Sequence, residues 1–107
     1  MLSELRHSPW GKVQTRTKIA EGIVHITTAS HGGYWLSKER RVLMPDQYRN
    51  IIPFAGDGWY EEDCDWSLVV LSFPEFFDSE QRLAAQSTLA WLCANSERFA
   101  HFAQGDL

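Results

Sequence analysis

The chain has 107 residues, 44% hydrophobic and 22% charged, which is the size and composition of one globular domain with a modest core. Its net charge of −4 hides an asymmetry: residues 1–49 carry eight Lys/Arg against four acids, whereas residues 50–107 carry only Arg82 and Arg98 against ten acids. The acidic half excludes itself from nucleic acid, because phosphates would be repelled, and suits a basic protein partner; no apolar run approaches the roughly 18 residues of a membrane-spanning helix.

The first twelve residues contain the breakers Pro9 and Gly11 and read as a loose arm that Trp10 tacks to the body. They hold no apolar stretch of the kind a signal peptide needs, so a soluble cytoplasmic protein is expected. Residues 13–20 read as a weak strand. Residues 22–29 are rich in β-branched types and read as a stronger one, with Val24, Ile26 and Thr28 on one face and Ile23, His25 and Thr27 on the other. Ser30-His31-Gly32-Gly33 reads as a turn, its glycines supplying positive φ, and Tyr34-Trp35-Leu36 as the return strand. Residues 37–41 form a polar turn or short helix, and Pro45 opens a brief helix through Asn50.

Residues 60–73 fit either a buried strand or a helix. The spacing of Trp66, Val69, Val70 and Phe73 favours a helix from about Tyr60, which would place Glu61, Glu62 and Asp63 in its first turn. Pro74 ends it. Ser79 is a good N-cap for an amphipathic helix over 80–94 with Leu83, Leu89 or Ala90, and Cys93 on its apolar side, and Glu97 to Phe102 reads as a last short helix. The expected fold is α+β: an N-terminal hairpin or small antiparallel sheet packed on two to three C-terminal helices.

The segment Gly58 to Trp66 crowds four acids, three large aromatics and a cysteine into nine residues. Acids seldom enter a core unpaired, whereas Trp and Tyr usually do, so the segment belongs where apolar and wet surfaces meet. Trp59, Tyr60, Glu61, Glu62, Asp63 and Asp65, with His31 nearby, are therefore the candidate partner-binding residues. Three other uses of the acids stay open. They could stabilise a helix start with an ion pair to Arg40, Arg41 or Arg49, hold a hard cation with Asp57, or form a general acid/base pair. The spacing matches no EF-hand, zinc or phosphate-loop motif, so no metal or cofactor is expected. Cys64 sits among carboxylates that should raise its pKa, which suits a structural thiol; Cys93 suits a core. If the chain is an enzyme, His31, Glu61, Glu62 and Cys64 are the catalytic candidates. A second copy of the chain is a further partner class the sequence leaves open.

Several blocks together resemble a small uncharacterised domain family carried by proteobacterial plasmids, conjugative elements and phages. They are Pro9-Trp10-Gly11, Gly22 to Gly33 with its Thr-Ala-Ser-His-Gly-Gly ending, Met44-Pro45, Gly58-Trp-Tyr-Glu-Glu-Asp-Cys64 with Trp66, Phe73-Pro74 and Thr88-Leu-Ala-Trp91. The resemblance implies a setting rather than a chemistry: short acidic proteins of such elements are often counter-defence factors of anti-CRISPR or antirestriction type. It points to a bacterial defence complex as the partner. The alternative is a small enzyme or ligand-binding protein whose His31/Glu61/Glu62/Cys64 pocket acts on or sequesters a nucleotide signal.

Overall fold

The computed structural model describes residues 5–99. Strands β1 (His7–Ser8) and β2 (Gly11–Lys12) form a two-stranded ribbon around Pro9-Trp10, with Gly11 at φ 115°. The arm that reads as loose is thus ordered from residue 5 onward, and Leu5 is buried; residues 1–4 lie outside the described residues.

Four antiparallel strands follow in the spatial order β3 (Thr15–Ala20), β4 (Ile23–Thr27), β5 (Gly32–Leu36) and β6 (Trp59–Glu61). The β3 edge exposes Thr15 to Lys18, polar and cationic side chains that discourage edge-to-edge pairing. Gly22, at φ 81°, turns β3 into β4. Between β4 and β5 the turn is held by Thr28: its N–H and its hydroxyl both donate to the His31 carbonyl at 2.8 Å, and the His31 N–H donates back to Oγ1 at 3.1 Å.

Gly32 and Gly33 are therefore strand residues, not turn residues, and neither has positive φ. Glycine is required there for close approach. A Cβ on Gly33 would lie 2.8 Å from the tip of the Trp10 ring and 2.9 Å from Glu61 Cα.

Strand alternation gives the sheet two unlike faces. Ile23, Tyr34, Leu36 and Tyr60 join the main core, whereas Val24 and Ile26 join a smaller cluster with Leu5 and Val13, flanked by Trp35 and Trp59. Short helices α1 (Lys38–Arg41) and α2 (Asp46–Arg49) lie in the connection from β5 to β6, the second opened by Pro45. The helix expected from Tyr60 begins later: residues 59–61 extend the sheet, and α3 spans Trp66–Ser72, burying Ser67, Leu68, Val69 and Val70. A 3-10 turn, Pro74–Phe76, leads to α4 (Ser79–Asn95), which packs on α3.

Asp78, not Ser79, caps α4: Asp78 Oδ1 accepts from the Gln81 N–H at 2.7 Å, and Gln81 Oε1 accepts from the Asp78 N–H at 3.0 Å. The buried stripe of α4 is Ala85, Leu89, Leu92 and Cys93, while Ala90 is exposed and Leu83 is 63% exposed. Leu83 lies off that i, i+4, i+7, i+8 row and so faces away from α3. A 3-10 turn follows at Glu97–Phe99; the expected helix continues to Phe102, outside the described residues. The architecture is α+β, an antiparallel sheet followed by C-terminal helices.

Candidate functional site

The register of β5 and β6 places Gly33 opposite Glu61, Tyr34 opposite Tyr60 and Trp35 opposite Trp59. The Glu62 N–H continues the ladder to the Gly32 carbonyl at 3.0 Å. The His-Gly-Gly and Trp-Tyr-Glu-Glu blocks are therefore adjacent strands. Trp10 completes the convergence, meeting Trp59 edge-to-face at 5.8 Å between ring centroids.

Alternation along β6 divides its side chains. Tyr60 points into the core, and its hydroxyl lies 3.5 Å from Met44 Sδ. Burial pushes its pKa up to about 12. Trp59 and Glu61 take the other face. After Glu61 the chain turns sharply into α3, and the turn leaves three N–H groups without strand or helix partners. Glu61 satisfies all three: Oε2 accepts from Asp63 N–H at 2.7 Å, and Oε1 from Cys64 and Asp65 N–H at 2.7 and 2.9 Å.

Asp65 has no solvent exposure. Its Oδ1 pairs with Arg98 Nη2 at 2.8 Å and its Oδ2 accepts from the Phe54 N–H at 2.8 Å. Arg98 also donates to the Ile52 carbonyl at 3.0 Å. One carboxylate thereby ties residues 52–54, the start of α3 and the turn at 97–99 together. A buried charge is tolerable when paired and hydrogen-bonded in this way.

These facts divide the candidate partner-binding residues into interior and exposed ones. Tyr60 and Asp65 are interior, Glu61 is occupied by its own backbone, and Trp59 is half-buried against Trp10. Glu62, Asp63 and His31 stay exposed. The ion pair foreseen with Arg40, Arg41 or Arg49 does not form. Arg40 donates to the Glu21 carbonyl and lies over the Phe73 ring, Arg49 pairs with Asp46, and Arg98 takes the acid instead.

Two shallow grooves flank His31. One, of about 370 Å³, is lined by Trp10, His31, Phe54, Glu61, Asp63, Cys64 and Arg98. The other, of about 270 Å³, runs from His25 and Thr27 past Ser30 to Gly32 and Glu62. Three of the four catalytic candidates thus line the first groove, and Glu62 faces the second. Burial pushes the Cys64 thiol pKa up, and the charges of Glu61, Asp65 and Asp63 add to it against Arg98. The carboxylates act as expected, but desolvation leads them. Such a thiol is a poor nucleophile near neutral pH. Among the described residues no group of three or more His, Cys, Asp or Glu is placed to hold a metal ion, and no helix is long and apolar enough to cross a membrane.

Phe54, 83% exposed, and Arg98 complete the site and were not singled out from sequence. Phe54 ends the apolar run Ile51-Ile52-Pro53, and Arg98 is one of two bases in an acidic half. Those are the signals that mark them.

A small antiparallel sheet covered by helices, with three motif blocks meeting at one grooved rim, defines the class of domain. The chain belongs to the family described as domain of unknown function DUF7007, whose model matches residues 3–105. No match was found among curated proteins or among solved structures.

Proposed function

We propose that this protein is a non-enzymatic counter-defence factor of a mobile genetic element, anti-CRISPR or antirestriction in type. It docks on a bacterial immune protein through the rim formed by Glu62, Asp63, His31 and Phe54. One observation carries the reading: where the three motif blocks converge, Glu61 is engaged by its own backbone and Cys64 is tuned away from nucleophilic chemistry, while Glu62, Asp63, His31 and Phe54 face solvent. Glu61 holds three backbone N–H groups, and the Cys64 thiol is raised. Glu62 and Asp63 stay free to complement a basic surface such as a nucleic-acid groove. The resemblance of the motif blocks supplies the setting.

The test is expression in a panel of bacterial hosts, each carrying a single CRISPR–Cas or restriction system, with phage plating as readout. Wild type should raise plating in one host, and Glu62→Lys with Asp63→Lys should remove most of that rise at an equal level of folded protein. No rise in any host, or a rise the double reversal leaves intact, overturns the proposal.

A further inference from the structure

A third groove, of about 390 Å³, shares no lining residue with the two beside His31. Its apolar part is built by Ile51, Ile52, Pro53 and Tyr60, and two cations, Lys38 and Arg41, stand in its wall. Ile52 is 70% exposed at the mouth, and neighbouring Val42 is exposed as well. The size is that of a small-molecule site.

The cations are the unusual part. Arg41 Nε is buried and has no hydrogen-bond acceptor among the described residues. No ion pair to Arg41 or Lys38 forms among those residues either, whereas the third lining cation, Arg49, is held by Asp46 and by the Val42 carbonyl. Asp57 lines the groove but lies beyond ion-pair distance of all three cations. Buried donors are nearly always satisfied, so this guanidinium is short of one acceptor. Gly58 packs beside it: a Cβ there would make ordinary contact with Arg41 Nε and Cζ at 3.6 and 3.8 Å, while the residue's φ of 87° and the Leu36 carbonyl, 3.0 Å from that Cβ, are what favour glycine.

We infer that this groove is a binding site for a small carboxylic acid with an apolar body. Nε itself has no surface open to the groove, so the carboxylate takes the Nη donors of the Arg41 guanidinium, with Lys38 adding charge. The body lies on Ile51, Ile52 and Pro53. Both halves of the ligand are required, because the carboxylate answers two cations that have no ion-pair partner among the described residues and the apolar body covers the exposed Ile52.

The experiment is an NMR titration of the full chain, labelled with nitrogen-15, by 4-phenylbutyrate, 4-phenylbutan-1-ol and acetate in parallel. Phenylbutyrate should move the Arg41 Nε–Hε signal and the Ile51 and Ile52 amides to saturation. The alcohol should bind at least tenfold more weakly, and acetate at the same concentrations should leave those signals in place. Arg41→Gln should weaken phenylbutyrate at least tenfold. Equal binding of acid and alcohol overturns the inference, as does acetate acting alone or a response confined to another cationic cleft such as that of Arg6, His7 and Lys12. The three-probe comparison on the unaltered chain keeps the test decisive even if the variant folds poorly.

Discussion

The tip of the Trp10 ring stands 2.8 Å from the place a Cβ on Gly33 would occupy. The Pro9-Trp10-Gly11 block is thereby seated on the Gly22–Gly33 block, against the strand that carries the Gly58–Trp66 block. Gly33→Ala is expected to be destabilising by about 3 kcal/mol, the upper part of the range for overpacking, because the other clashing atoms belong to the β6 backbone and cannot rotate away. Urea unfolding measures it. The cost should persist in a Trp10→Ala background; its disappearance there would mean that the ring alone sets the constraint.

Glu61 is a backbone cap. Glu61→Ala removes the acceptor of three N–H groups and is expected to cost about 2 kcal/mol, with faster hydrogen exchange at Asp63, Cys64 and Asp65. Glu62→Ala, one residue along and exposed, is expected to change stability by less than about 0.5 kcal/mol.

Arg98 balances a fully buried carboxylate across 33 residues of chain. Arg98→Ala is expected to cost about 3 kcal/mol, the low end for a broken buried pair, because the guanidinium is partly exposed. Thermal unfolding reads the loss.

Tyr60 makes stability fall in alkali. The native phenol pKa of about 12 lies above the unfolded value of about 10. Between those values the unfolded chain binds fewer protons than the native one, so its contribution to stability is complete below pH 10 and is lost as pH rises toward 12. Tyr60→Phe should flatten that decline in urea midpoints measured from pH 9 to 11.

Local pattern revealed much of this fold. The β-branched run at 23–27 is a strand, the 3.6-residue spacing of Trp66, Val69 and Val70 is a helix, and Pro45 opens one. What stayed hidden depends on contacts between distant residues. The need for glycine at 33 comes from Trp10 and β6, not from a turn. The buried face of α4 is chosen by α3, so Leu83 fails where Ala85 succeeds. Asp65 is interior only because Arg98 and the Phe54 N–H reach it. Acid crowding at 61–65 marked an unusual segment correctly, but counting charges could not divide acids with internal partners from Glu62 and Asp63.

The proposed docking role requires Glu62 and Asp63 and not the Cys64 thiol. Phage plating in a host whose defence the wild-type chain neutralises tests it most directly, comparing Cys64→Ser with the Glu62→Lys/Asp63→Lys pair. Full protection by Cys64→Ser with at least a tenfold loss from the paired reversal is the expected result. Protection abolished by Cys64→Ser and spared by the reversal would contradict the claim and favour a catalytic groove at His31.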